Sequence, residues 1–132
     1  MYKKRLGEPE MSKCILVVDD NSVLRRTLRQ ILEQHDEWRV CGEAVDGIDA
    51  IEKAKELHPD LVVLDLSMPR MDGLQAGRAL RSLMPEVPLI LFTVFGNTPQ
   101  VAKEAMDCGI NAVVSKVDGI AGLVSSVQSA LG

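Results

Sequence analysis

Aromatic residues make up only 3% of this 132-residue chain: one Trp, one Tyr and two Phe. A surface that stacks nucleic-acid bases needs more rings than that. The net charge is −4 and no dense basic stripe interrupts it, so nucleic-acid binding by this chain alone is not expected. Cys14, Cys41 and Cys108 are an odd number without CxxC spacing. They read as reduced, structural thiols, with Cys14 and Cys41 inside strands. No apolar run approaches the ~18 residues of a membrane-spanning helix. The stretch from Met1 to Glu10 is charged and lacks the apolar segment of a signal peptide. A cytoplasmic protein is therefore expected, with residues 1–12 as a flexible leader and Met11 a candidate first residue. His35 and His58 lack metal-ligand spacing. His58 precedes Pro59 and reads as a helix end.

What is present is an ordinary globular composition, 46% hydrophobic and 26% charged. Its length suits one domain, here residues 13–132. Apolar runs alternate with helix-period segments. Strands are expected at Cys14–Val18, Trp38–Ala44, Leu61–Asp65, Leu89–Thr93 and Ala112–Ser115. Helices are expected at about Ser22–Gln34, Ile48–Leu57, Leu74–Leu83, Pro99–Cys108 and Ile120–Leu131. The near-continuous apolar strands imply a parallel sheet covered on both faces. In the second strand Arg39 and Glu43 alternate with Trp38 and Val40, a pattern that suits an edge. The fold that satisfies this is α/β, a doubly wound five-stranded parallel sheet in the order 2-1-3-4-5 with helices on both sides, flavodoxin-like. Trp38 then lies far from any site, as a core or edge residue. Arg25, Arg26, Arg29, Arg78 and Arg81 read as solvated helix charges.

In that order strands one and three are neighbours, so Asp19, Asp20 and Asp65 converge at the C-terminal edge, where ligands of open α/β sheets bind. Thr93 ends strand four and Lys116 follows strand five. Each feature alone has a plainer use: paired acids cap helices, Asp72-Gly73 is a turn signal, a strand-end Thr packs. Together they place three acids, a hydroxyl and an ammonium at four strand ends. Clustered carboxylates repel, and one would take up a proton unless a cation intervened. Magnesium prefers a few carboxylates plus waters. A carboxylate nucleophile beside a metal, an ammonium and a hydroxyl suits acyl-phosphate formation.

On these residues the chain resembles the receiver domain of two-component response regulators. The matching stretches are Ile15-Leu16-Val17-Val18-Asp19-Asp20, Val62-Val63-Leu64-Asp65-Leu66-Ser67-Met68-Pro69-Arg70-Met71-Asp72-Gly73, Leu91-Phe92-Thr93 and Val113-Val114-Ser115-Lys116. The resemblance implies that Asp65 receives a phosphoryl group from the phosphohistidine of a sensor histidine kinase or histidine phosphotransfer protein. It implies Mg²⁺, with Mn²⁺ as the alternative ion, held by Asp20, Asp65 and the Ser67 carbonyl, with Asp19 acting through water. Thr93 and Lys116 would bind the phosphoryl oxygens, and the phosphorylated form would hydrolyse itself slowly. Kinase, signal, output partner and oligomeric state stay open, as does whether the receiver stands alone or belongs to a longer regulator.

Three positions depart from the family pattern. Val113 stands where an aromatic is usual, so signalling is expected to run through loop and fourth-helix shifts. Val94 replaces a very small residue after Thr93 and narrows the approach to Asp65, which points to slower labelling by bulky donors. Val117 replaces a proline after Lys116, so that bond is expected to be trans, a non-proline cis bond costing roughly 2.5–4 kcal/mol. The last helix has no charge, and its face offers small and apolar groups such as Ala121, Gly122 and Ala130. Two other classes compete. A phosphatase with an aspartyl-phosphate intermediate needs an acid two residues past its nucleophile, where this chain has Ser67. A nucleotide or flavin binder needs a phosphate-cradling loop, whereas the turn after strand one is the acidic Asp19-Asp20-Asn21-Ser22 and no GxxxxGK occurs.

Overall fold

The computed structural model describes residues 12–96 and 98–132. The expected leader falls outside these residues, apart from Ser12. Five strands, β1 (Lys13–Val18), β2 (Trp38–Ala44), β3 (Leu61–Leu64), β4 (Leu89–Thr93) and β5 (Ala112–Ser115), form one sheet. All described pairings are parallel and the order is β2-β1-β3-β4-β5, as expected. The helices are α1 (Ser22–Leu32), α2 (Gly47–Leu57), α3 (Gly73–Leu83), α4 (Pro99–Asp107) and α5 (Ile120–Leu131).

Alternate residues of each strand point to opposite faces. Leu16, Val18, Val62, Leu64, Leu89 and Leu91 pack against the side covered by α2, α3 and α4. Those helices bury mainly alanines there, Ala50, Ala54, Ala76 and Ala105, and so lie close to the strands. Ile15, Val17, Val63, Ile90 and Phe92 meet Leu28 and Leu32 of α1 and Leu123 and Val127 of α5 on the other side. Burying each such side chain stabilises the fold by roughly 1.5–3 kcal/mol. Trp38 is buried at the start of the edge strand, its ring stacked on His35 at 4.2 Å.

Local signals set the helix ends. The Asn21 side chain accepts from Leu24 N–H at 3.1 Å, and Asp46 accepts from Asp49 N–H at 2.9 Å. Asp72 and Gln75 form a reciprocal capping box on α3. His58 takes a left-handed conformation, φ 49°, and ends α2 before Pro59. After β5 the chain makes a 3-10 turn, Lys116–Asp118, that the apolar periodicity does not announce. No peptide bond is cis among the described residues, so Lys116–Val117 is trans.

Two expectations are corrected. Cys14 and Cys41 are joined in a disulfide, with Cα atoms 5.2 Å apart, rather than standing as separate thiols. The β1–β2 register skips Cys41, pairing Ile15 with Val40 and Leu16 with Gly42. This bulge brings together two cysteines 27 residues apart in sequence. Cys108 is free and buried, as expected. The arginines are not generally solvated. Arg81 donates to the carbonyls of Gly109 (2.9 Å) and Val87 (2.8 Å) and to Asn111 Oδ1 (2.7 Å), tying α3 to the turns before β4 and β5. Arg25 and Arg29 both bond Glu43 of the edge strand. A long side chain reaches partners that helix periodicity does not reveal.

Gly73 begins α3 against the end of β3. Its N–H donates to Leu66 O at 2.8 Å, and a Cβ there would fall inside contact distance of the Asp65 carbonyl. Gly73→Ala is expected to destabilise the protein. Alanine brings a helix roughly 1 kcal/mol, but a forced backbone shift costs about 1–3 kcal/mol. Urea melts of the two proteins compare these terms, and an unchanged or higher midpoint would count against the tight approach.

Candidate phosphoacceptor and metal site

Parallel register builds the site. Val18 of β1 pairs with Leu64 of β3, and Asp65 N–H donates to Val18 O at 3.0 Å. One residue further on, Asp19 and Asp65 leave the sheet side by side at its C-terminal edge. Asp20 follows Asp19 in the turn that Asn21 caps. One carboxylate oxygen each from Asp19, Asp20 and Asp65 lies within 4.8 Å of the other two. Asp19 and Asp65 are 3% and 8% exposed, whereas Asp20 opens to solvent.

Lys116 reaches back from the end of β5 into this cluster. Its Nζ donates to Asp19 Oδ2 at 2.9 Å and to Asp65 Oδ2 at 3.2 Å. The remaining oxygens of these two acids accept backbone N–H groups, Asp19 Oδ1 from Asn21 at 2.9 Å and Asp65 Oδ1 from Leu66 at 2.8 Å. The Lys116 ammonium also sits 5.8 Å from the centre of the Phe92 ring. Asp20 accepts no hydrogen bond from a described residue. Thr93 is fully buried at the end of β4, and its hydroxyl accepts from Phe95 N–H at 3.5 Å. Ser67 lies on the exposed loop after Asp65, and among the described residues nothing donates to its carbonyl. All the residues singled out from the sequence therefore stand at this edge or on its loops. Val94 beside Thr93 and Val117 beside Lys116 are both exposed there.

Electrostatics at the site are unbalanced. Burial pushes the Asp65 carboxyl above the ordinary carboxylate range; Lys116 pulls it down and Asp19 pushes it further up. Burial would lower the Lys116 ammonium, but its hydrogen bond to Asp19 and the charges of Asp65 and Asp19 raise it overall. Two carboxylates within 4.8 Å of each other repel by roughly 3–4 kcal/mol at an effective dielectric of ~20. Three carboxylates against one ammonium leave two negative charges, matched by one divalent cation. The donors are all hard oxygens, which fits Mg²⁺ better than a soft transition metal.

Two cationic supports give no sign of themselves in the sequence. Arg25 Nη1 donates to the Asp19 carbonyl at 2.6 Å. Arg70, on the loop after β3, forms a two-pronged pair with Asp46 at 2.6 and 3.0 Å. Neither has a signal in spacing, because their partners lie on other elements.

The family model described as "Response regulator receiver domain" matches residues 15–128. The chain belongs to the response regulator receiver family. The receiver is 40% identical over 92 residues to protein-glutamate methylesterase/protein-glutamine glutaminase 1 of Methanosarcina acetivorans, covering 70% of this chain and 26% of that protein. A like-named protein of Myxococcus xanthus, numbered 5, is 39% identical over 107 residues, 81% of this chain and 31% of its own. The receiver thus spans between a quarter and a third of these relatives. Among solved structures, the response regulator domain of Thermotoga maritima CheB superposes with a TM-score of 0.83 at 26% identity, covering 90% of this chain and 96% of that one. The receiver domain of the Mycobacterium tuberculosis regulator NarL gives 0.81 at 31% identity, covering 94% and 99%. Among the described residues no helix is long and apolar enough to cross a membrane.

The raised Asp65 carboxyl gives a pH signature. The folded state holds its proton more tightly than the unfolded chain, so this group's contribution is full below the ordinary carboxylate range. It is lost as pH rises through the raised value. Without divalent cations, Asp65→Asn is therefore expected to be more stable than the parent at neutral pH, with the advantage vanishing in acid. Urea titrations across that range check it, and a constant difference at all pH values would refute the electrostatic origin.

Proposed function

We propose that Asp65 is the phosphoacceptor of this receiver and that Mg²⁺ held at this acid cluster supports the transfer. The observation that carries the reading is the shared ammonium: Lys116 bonds Asp19 and Asp65 together at the sheet edge. An Asp65 oxygen attacks the phosphorus of a phosphohistidine on a sensor kinase or phosphotransfer protein. The P–O bond forms as the P–N bond breaks, and the imidazole leaves. The cation, when bound, neutralises acid charge and phosphoryl oxygens. Asp20, Asp65 and the Ser67 carbonyl would hold it directly, with Asp19 acting through water. Lys116 and the Thr93 hydroxyl donate to the transferred group. Burial of Asp65 limits access by bulk water, and hydrolysis of the acyl phosphate is correspondingly slow.

No separate substrate is assigned. Ser67 stands two residues beyond Asp65 and offers no carboxyl to protonate a leaving group, so the chain is read as a switch and not as a phosphatase. Its donor is a kinase or phosphotransfer protein. Incubation with Mg²⁺ and acetyl phosphate is expected to add one phosphoryl mass to the parent protein and none to Asp65→Asn. Equal labelling of both proteins, or of neither, would overturn the assignment.

Switching is proposed to run through the β4–α4 loop and α4. This helix is lightly held: Ala105 is its one buried residue, and Thr98 makes no side-chain capping bond. Val113 has no ring to rotate. Binding of beryllofluoride and Mg²⁺ is expected to shift amide resonances in 94–107 far more than those of α1. An α4 that stays unmoved would refute this route.

A further inference from the structure

Two loops carry the acids and the carbonyl of the site, and both are tied to the same neighbour. Arg25 of α1 donates through Nη1 to the Asp19 carbonyl at 2.6 Å and through Nε to Glu43 Oε1 at 3.0 Å. Glu43 is itself held: Arg29 Nε donates to its other oxygen at 3.0 Å, and Lys53 donates to its carbonyl at 2.6 Å. Arg70 sits three residues past Ser67 and bonds both oxygens of Asp46, whose side chain is 5% exposed. Asp46 also caps α2, so a second bond holds it in place. The same loop is pinned once more where Gly47 N–H donates to Met71 O at 3.2 Å.

Arg70 adopts φ 66°, a left-handed backbone that a long side chain rarely takes. Such strain persists where surrounding contacts enforce it. Here the enforcing contact is the pair with Asp46. Glu43 and Asp46 thus form a backstop at the C-terminal end of β2, the edge strand, which supplies no acid to the cluster.

We propose that Arg25 and Arg70, anchored on Glu43 and Asp46, are positioning residues that hold the Asp19–Asp20 turn and the Ser67 loop in metal-binding geometry. The idea rests on the phosphoacceptor reading above. Neither arginine touches the ion or the phosphoryl group. Each fixes the backbone from which a ligand projects, as groups behind a metal's ligands do elsewhere.

The sign of the effect separates positioning from simple charge. Removing a cation near an acid cluster makes the cluster more negative, and Coulomb's law then favours tighter Mg²⁺ binding. Loss of positioning predicts weaker binding. Calorimetric titration of unphosphorylated protein with Mg²⁺ reads the difference. Arg70→Gln is expected to raise the Mg²⁺ dissociation constant about tenfold, and Arg25→Gln to act in the same direction. Arg26→Gln removes the same charge from an exposed neighbour on α1 and is expected to leave the constant near the parent value. Arg70→Lys, which keeps one ion pair, falls between. Asp46→Asn retains a capping oxygen, so α2 stays capped, yet it is expected to weaken Mg²⁺ as Arg70→Gln does. With Mg²⁺ in large excess, acetyl phosphate is expected to label Arg70→Gln at close to the parent rate, because Asp65, Lys116 and Thr93 are intact. Hydrogen exchange of the 66–71 amides, measured without metal, is expected to quicken in Arg70→Gln.

Arg70 is more than half exposed, so its substitution leaves the core untouched. An unchanged or lower dissociation constant in Arg70→Gln overturns the proposal, as does an equal loss in Arg26→Gln. A parent protein that neither binds Mg²⁺ nor labels at Asp65 would instead overturn the phosphoacceptor reading itself.

Discussion

Everything at the functional edge depends on one ammonium shared by two buried carboxylates. Lys116 bridges Asp19 and Asp65 at 2.9 and 3.2 Å, and without it two acids would face each other across adjacent strand ends with little water. The bridge is partial compensation. Asp65 still holds its proton more tightly than an ordinary aspartate, and Asp20 adds a further charge at the rim. A binding site for a divalent cation is the natural outcome of such a deficit. The protein is folded around an unresolved charge, and in the phosphoacceptor proposal a divalent ion and a phosphoryl group resolve it.

The sheet turns this local problem into a placed one. Parallel strands all end at the same edge, so a residue one step past a strand is delivered there whatever the intervening sequence. The β1–β3 neighbour relation, with Val18 opposite Leu64, sets Asp19 beside Asp65. Lys116 arrives from β5, two strands away from β3, and its length spans the gap. On the other flank β2 supplies no acid to the cluster but offers Glu43 and Asp46 as anchors. The acids thus gather at the centre of the sheet, while the anchors stand at its edge.

Much of this is legible in the order of residues alone. Short apolar runs between amphipathic helices give a parallel sheet, and Arg39 and Glu43 mark β2 as the edge. Asp19, Asp20, Asp65, Thr93 and Lys116 stand out because they all follow or end strands, a property visible in sequence. Arg25, Arg29, Arg70 and Arg81 do not stand out, since a charged residue on a helix or loop looks the same whether its partner is water or a carbonyl on another element. The Cys14–Cys41 bond is hidden for a related reason: it depends on a one-residue slip in strand pairing. Asp72-Gly73 reads as a turn signal, which it is, but the close approach of Gly73 to the Asp65 backbone emerges only in three dimensions.

The 3-10 turn at Lys116–Asp118 connects the acid cluster to the last helix along the chain. Its first residue is the side chain that neutralises the acids, and Gly119, in a conformation open to glycine at φ 83°, leads directly into α5. Because Lys116 is bonded to both buried acids, the backbone that leads into the last helix is tied at its first residue to the acid cluster.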